Sequence, residues 1–155
     1  MVGYVIDENV LIFAHLGRNE KGENDLTCLA FLRAVVRRCD PIVLSPEVWE
    51  KYHKQLSVRR SETASPHLLQ VLRSLATRAD KLRFRDAPAF PEESALDPGS
   101  ADDVVFVRLA VAAGATLITK DAPLQSCVND SDIAVKYGIV ARTPEEELAT
   151  DEWPD

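Results

Sequence analysis

Four acidic residues mark one edge of the α/β sheet that the sequence predicts. Asp7 ends the first apolar run, in "YVIDENV", and Asp121 ends a later one, in "TLITKDAPL". Glu50 lies one turn into the helix expected after the run "PIVLS", and Asp103 lies in the first turn of an apolar helix. Because the carboxyl ends of parallel strands meet at one edge of a sheet, these side chains are expected to gather there. Clustered carboxylates offer hard oxygen ligands, which favour Mg²⁺ or Mn²⁺.

Each of these acids also has a purely structural explanation. Asp7 and Asp121 have the positions of turn or helix N-cap residues, and Asp103 has the spacing of a capping box. Glu50 lies off the apolar stripe of its helix and four residues before Lys54, so an ion pair also explains it. Capping alone requires no second acid nearby. The coincidence of several acids at one sheet edge is what favours a site.

The elements that would position these acids alternate along the chain. Short β-branched runs are separated by stretches with helical spacing, which predicts a mostly parallel sheet covered on both faces. The proline-rich stretch at residues 86–100 is expected to border the site. Strands are expected at 3–7, 41–45, 81–84, 116–119 and 138–142, and helices at about 9–16, 26–38, 46–60, 66–78, 101–113, after Pro123, at 130–137 and in "TPEEELA".

Length and composition fit one domain. With 155 residues, 46% of them hydrophobic, the chain can fill a single core, and we expect one domain at 1–149 followed by an acidic tail at 150–155. No apolar run approaches the roughly 20 residues of a membrane helix, and the start lacks the basic region of a signal peptide. A soluble, cytoplasmic protein with no membrane partner is therefore expected. Three cysteines without C-x-x-C spacing indicate reduced thiols, not disulfides or zinc ligands.

The formal net charge of −7 is unevenly distributed. Residues 51–85 hold nine cations and two anions, a net charge of +7, which leaves −14 for the rest. Such asymmetry can mark a surface that attracts phosphates, although a solvated face of two helices explains it equally well. In the same region, Trp49 and Tyr52 have a helical spacing that favours core packing over stacking on a nucleic-acid base, and His53 is expected to be solvated.

Four blocks of sequence resemble, in order and spacing, the successive motifs of PIN-domain proteins. They are "VIDENVLI", "VLSPEVWEKYHKQL", "DDVVFVRLAVAAGATLITKD" and "YGIVARTPEEELA", and together they cover nearly the whole chain. The third block is the most specific. The resemblance implies a Rossmann-like three-layer α/β/α fold with a mostly parallel central sheet. It also implies a nuclease that depends on Mg²⁺ or Mn²⁺ and acts, as is usual in the family, on RNA.

The resemblance also implies which residues form the site. Glu50 is preferred to Glu47 because the family's glutamate falls five positions after the serine of the "LSP" turn, and Asp103 is preferred to Asp102 by its spacing from "LAVAAGA". Asp102 remains an extra candidate ligand. Carried over residue by residue, the catalytic and metal-binding acids are Asp7, Glu50, Asp103 and Asp121, with Asn9 and Thr119 at positions that often support the site.

One residue departs from the family pattern. Family members commonly have serine or threonine directly after the first aspartate, and this chain has Glu8. A glutamate there could join the metal shell, point away from it or weaken it. The resemblance therefore implies the fold more directly than it implies nuclease activity.

The mechanism expected from these residues is hydrolysis of a phosphodiester by a metal-activated water. Lys120 and the cations of 51–85 are expected to hold the phosphate backbone. Small proteins of this kind are often toxin ribonucleases paired with a short antitoxin, and they often form homodimers. The main alternative is a non-catalytic PIN-like module that binds RNA or a protein. A phospho-acceptor receiver domain fits poorly, because "VLSPEV" offers no acceptor aspartate.

Overall fold

The computed structural model describes residues 3–38, 40–58, 74, 77, 78 and 80–150. Five strands form one all-parallel sheet in the order β3-β2-β1-β4-β5. The strands are β1 (Tyr4–Ile6), β2 (Ile42–Leu44), β3 (Leu82–Phe84), β4 (Thr116–Ile118) and β5 (Ala141–Arg142). The helices are α1 (Glu8–Leu16), α2 (Thr27–Arg37), α3 (Pro46–Val58), α4 (Val104–Ala113), α5 (Ala122–Asn129), α6 (Asp132–Tyr137) and α7 (Pro144–Leu148).

Helices flank the sheet, which confirms the three-layer α/β/α class with a mostly parallel sheet. Helix α4 packs on β1, β2 and β4, whereas α2 packs against α1 and α7. Every residue of β1, β2 and β4 is buried, as expected for central parallel strands covered on both faces. Strand β3 lies at the edge of the sheet, and its Arg83 and Phe84 are exposed.

Local sequence signals determine where these helices begin and end. The Ser45 hydroxyl accepts from the Val48 N–H at 3.3 Å, and the Thr143 hydroxyl accepts from the Glu146 N–H at 3.1 Å, so each of these residues caps the helix that follows it. Helix α4 ends at Gly114, whose φ of 61° lies in the left-handed region that favours glycine. The end capped by Ser45 is the one that carries a predicted site residue, Glu50.

Several boundaries differ from the sequence predictions. The predicted helix at 101–113 begins as a 3-10 turn, Ala101–Asp103, and becomes α-helical only at Val104. The Ser100 side chain makes no capping hydrogen bond, so the capping box expected with Asp103 is wrong. The last strand is only Ala141–Arg142, and a 3-10 segment, Pro91–Ala95, lies within the proline-rich connection. The helix predicted at 66–78 lies mostly outside the described residues.

Trp49 corrects one prediction about the core. Tyr52 is buried as expected, but Trp49 is 41% exposed. The Trp49 ring contacts Phe84 on the edge strand. Because Phe84 is itself 59% exposed, this contact leaves part of the Trp49 ring uncovered. The exposed His53 agrees with the prediction.

Two further expectations concern the thiols and membranes. Cys28 is buried and Cys127 is half-buried, and both are free thiols; Cys39 lies outside the described residues. Among the described residues, no helix combines the length and the apolar character that crossing a membrane requires.

Candidate metal centre

Asp7 is a buried carboxylate at the carboxyl end of β1. Its Oδ2 accepts the Thr119 hydroxyl at 2.7 Å, and its Oδ1 accepts the Asn9 N–H at 3.4 Å, which caps α1. Burial, with a smaller contribution from the charges of Asp103 and Glu8, raises the pKa of Asp7 to about 7 against the opposing hydrogen bonds from Thr119 and Asn9. The charged form of the Asp7 carboxyl is therefore disfavoured in the fold.

Three acids converge at this point. Ligand oxygens of Asp7, Glu8 and Asp103 all lie within 4.8 Å of one another. Glu8 is the first residue of α1, and Asp103 lies at the junction between the 3-10 turn and α4. Burial also raises the pKa of Asp103. Three hard oxygen donors at this separation fit a cation such as Mg²⁺ or Mn²⁺.

Thr119 links Asp7 to Asp121. The fully buried Thr119 hydroxyl donates to Asp7 and accepts the Asp121 N–H at 2.9 Å. The Asp121 carboxylate accepts the Leu124 N–H at 3.1 Å and so caps α5, and its charge raises the pKa of Asp103. Asp121 therefore borders the three-acid group while it also caps a helix.

Asn9 and Lys120 join the ends of β1 and β4. The Lys120 backbone N–H donates to the Asn9 side-chain oxygen at 3.3 Å. The Lys120 ammonium pairs with Glu145 at 2.6 Å and with Glu20 at 3.2 Å. A phosphate contact from Lys120 would require those ion pairs to open.

Lys51 brings a positive charge to the three-acid group. Its Nζ lies 3.4 Å from Glu8 Oε1 and 5.4 Å from the centre of the Phe106 ring. Its charge lowers the pKa of Asp103, in opposition to the larger effect of burial. Lys51 is therefore a counter-charge within the site and not part of a free basic surface.

Among the other cations of the 51–85 segment, Lys81 departs from the predicted basic surface, whereas Arg83 and Arg85 agree with it. The Lys81 side chain is buried, and its ammonium donates to the Val35 carbonyl at 3.2 Å. Arg83 and Arg85 are exposed. Arg59, Arg60 and Arg73 lie outside the described residues.

Glu50 and Asp102, both predicted from the resemblance, lie outside the three-acid group. Both are exposed, and Asp102 acts on the group by raising the pKa of Asp103. The structure instead brings in Glu8, the residue that departs from the family pattern. The signal for it was present in the sequence, because a glutamate directly after a strand-ending aspartate begins the helix at the same sheet edge.

Lys51→Met keeps the apolar stem and removes the charge, so it tests whether Lys51 competes with a bound cation. We expect Mn²⁺ to bind about ten-fold more tightly at pH 7.5, because Glu8 and Asp103 lose their internal counter-charge. Calorimetric titration measures the affinity, and Lys54→Met, an exposed lysine on the same helix, is the matched control. Unchanged or weaker binding by Lys51→Met, with Lys54→Met normal, would contradict this role.

The fold and this site together define a three-layer α/β protein with a carboxylate cluster at the carboxyl edge of its parallel sheet. Among solved structures, the chain is similar to the crystal structure of VapBC2 from Rickettsia felis bound to a DNA fragment from their promoter. The identity is 16% and the TM-score 0.47, with 99% of this chain and 100% of that chain covered. No family model matches the chain, and no curated protein matches it in sequence.

Proposed function

We propose that the chain is a metal-dependent nuclease that hydrolyses phosphodiester bonds in RNA. The observation that carries the proposal is the convergence of Asp7, Glu8 and Asp103 within 4.8 Å, at the sheet edge where α/β proteins bind ligands. The sequence resemblance to PIN-domain proteins supports the same activity.

In this proposal the residues of the site have different roles. Asp7, Glu8 and Asp103 hold a Mg²⁺ or Mn²⁺ ion, with Asp121 beside them. Such an ion, when bound, lowers the pKa of a water and stabilises charge on the leaving oxygen. Thr119 fixes the orientation of Asp7 through its hydroxyl. Glu50 and Asp102 are exposed, so we assign them a smaller contribution.

The substrate class and the partners rest on the resemblance. RNA is the usual substrate of the family, and small proteins of this kind are often paired with a short antitoxin and often form homodimers. We therefore extend the proposal to a toxin ribonuclease of a toxin-antitoxin pair.

A second candidate function is a non-catalytic module that binds RNA or a protein. The specific observation in its favour is that two of the acids cap helices, Asp7 for α1 and Asp121 for α5. The ion pair between Lys51 and Glu8 also neutralises part of the cluster without a metal. Under this alternative, the acids stabilise the fold and bind no cation.

Cleavage of labelled single-stranded and structured RNAs, with Mn²⁺, Mg²⁺ or EDTA, tests the proposal. We expect cleavage with a metal, none with EDTA, and a loss of at least about 100-fold in Asp103→Asn. Asp130→Asn, at the other end of α5, is an exposed-acid control and should cleave normally. Equal cleavage by wild type and Asp103→Asn would show that the activity arises elsewhere, and no cleavage with RNA still bound would favour the module.

Glu8, the residue that departs from the family pattern, gives a second test of which residues bind the metal. We expect Glu8→Gln to weaken Mn²⁺ binding more than Glu50→Gln, because Glu8 lies in the three-acid group and Glu50 is exposed. Calorimetry on both variants under one set of conditions compares them directly. A larger loss in Glu50→Gln would reverse our assignment in favour of the family's glutamate.

A further inference from the structure

Two large aromatic side chains are exposed side by side at the edge of the sheet. Trp49 on α3 is 41% exposed and Phe84 on β3 is 59% exposed, and their ring centres lie 6.0 Å apart at an interplanar angle of 70°. The exposed His53 ring lies 5.0 Å from Trp49. Exposed aromatic residues in contact with one another offer a stacking platform that single exposed residues do not.

Arginines directly precede and follow the exposed phenylalanine along the chain, and their side chains point to the other face of the edge strand. Arg83 and Arg85 are both exposed, and among the described residues neither guanidinium pairs with a carboxylate. By contrast, Arg108 and Arg142 form ion pairs with Glu93 and Glu147. In a chain with a net charge of −7, two unpaired arginines beside an aromatic pair indicate affinity for an anion.

A cleft adjoins these side chains. It has a volume of about 410 Å³ and is lined by Arg83, Phe84 and Arg85 of the edge strand and its end, by Val43 of β2, and by residues that precede β1, β2 and β4 (Gly3, Pro41, Ala113 and Gly114). The volume lies within the range of about 300–1,000 Å³ typical of small-molecule sites. The cleft can therefore accept a group the size of one nucleotide.

We propose that Trp49, His53, Arg83, Phe84 and Arg85, here called the aromatic–arginine surface, bind single-stranded RNA. A base stacks on the exposed rings while the guanidinium groups contact phosphates. Arginine beside aromatic rings favours a nucleic acid over an aliphatic protein surface, because the rings stack on any base and the charges complement the backbone. The choice of RNA rests on the proposed nuclease function.

The position of this surface suits an RNA strand that continues to Asp7, Glu8 and Asp103. In the sheet, β2 separates β3 from β1, so their backbones lie roughly 10 Å apart, and β2 is in register with both. Phe84 and Asp7 both lie at the carboxyl ends of their strands. At about 3.4 Å per stacked nucleotide, this separation corresponds to about three nucleotides.

Binding of a fluorescent uridine oligonucleotide, measured by anisotropy in EDTA, tests the proposal without any need for metal or cleavage. We expect Trp49→Ala and Phe84→Ala each to weaken binding by about 5- to 100-fold, the effect of one lost base stack. The double variant Arg83→Ala/Arg85→Ala should weaken binding and lower the slope of log affinity against log salt by about 1.4. Leu26→Ala and Lys21→Ala, exposed residues on the α1–α2 side, are controls expected to bind normally.

Two further measurements separate this surface from the nuclease site. In a Trp153→Phe background, RNA should quench the fluorescence of Trp49, which reports stacking directly. Cleavage of RNA by wild type with Mn²⁺, measured in parallel, reports the nuclease site. Normal RNA binding by all the surface variants, or no binding by a wild type that still cleaves RNA, would contradict the proposed RNA-binding surface. Neither result would contradict the nuclease proposal. RNA binding lost in the surface variants, without metal-dependent cleavage by wild type, would support the surface and overturn the nuclease.

Discussion

Replacing Asp7 with asparagine is expected to abolish metal-dependent cleavage while raising the free energy of unfolding above pH 7. The loss of cleavage follows from the proposed ligand set, because an amide is a far weaker metal ligand than a carboxylate. The gain in stability follows from burial. The folded chain carries a carboxylate whose pKa is raised to about 7 by burial first and then by neighbouring charges.

The sign of the pH dependence follows from that pKa. A carboxyl group whose pKa is higher in the folded chain than in the unfolded chain favours folding while it is protonated. Its contribution is complete below about pH 4 and is lost as the pH rises to about 7. The difference from the ordinary value of 3.8 corresponds to about 4 kcal/mol, so Asp7→Asn should be more stable than wild type by up to that amount at pH 8.

The asparagine can keep the stronger of the two hydrogen bonds that Asp7 accepts. The asparagine side-chain oxygen can accept the Thr119 hydroxyl, which lies 2.7 Å from Asp7 Oδ2 in wild type. Only the 3.4 Å hydrogen bond from the Asn9 N–H is lost. Urea unfolding of both proteins without metal, from pH 4 to pH 8, measures the difference. Parallel curves across this range would show that Asp7 carries no penalty for ionisation in the fold.

Thr119→Val should destabilise the fold and weaken the site together. The hydroxyl is fully buried and serves two partners, the Asp7 carboxylate and the Asp121 N–H, and valine satisfies neither. At about 1–3 kcal/mol for each buried group left without a partner, we expect the free energy of unfolding to fall by about 2–4 kcal/mol. The pKa of Asp7 should rise further, since the bond from Thr119 lowers it, so Mn²⁺ affinity at pH 7 should fall about ten-fold.

Thr116→Val is the matched control, because Thr116 is buried in β4, the strand that Thr119 directly follows, and makes no side-chain hydrogen bond among the described residues. Urea unfolding and Mn²⁺ titration from pH 6 to pH 9 compare the two variants. If Thr119 only stabilises the fold, the Mn²⁺ affinity of Thr119→Val should equal that of wild type. The dependence of that affinity on pH should then match that of Thr116→Val. A profile moved to higher pH in Thr119→Val alone supports a positioning role at Asp7.

Much of this fold follows from local sequence signals. The strands show as β-branched runs, and Ser45, Thr143 and Gly114 mark helix ends by capping and by a left-handed backbone. Because all the strands are parallel, their order along the chain already places the ends of β1 and β4 at one edge. Asp7 and Thr119 could therefore be expected at the same edge of the sheet, but their hydrogen bond depends on the pairing of β1 with β4, which the sequence does not specify.

The side-chain pairings could not be predicted in the same way. The contact of Lys51 with Glu8 joins residues 43 positions apart, and it depends on how α3 packs beside α1. Trp49 has the helical spacing of a core residue, but the exposed edge strand beside it leaves part of the ring uncovered. Tertiary packing decides such contacts, and helical periodicity alone carries no information about the neighbouring element.

Uptake of Mn²⁺, followed by the electron paramagnetic resonance signal of the free aqueous ion at pH 8, tests the metal centre most directly. We expect wild type to reduce this signal saturably, whereas Asp7→Asn and Asp103→Asn leave it at the level of a protein-free sample. The same uptake by wild type and both variants, or no uptake by wild type, would contradict a metal centre built from Asp7, Glu8 and Asp103.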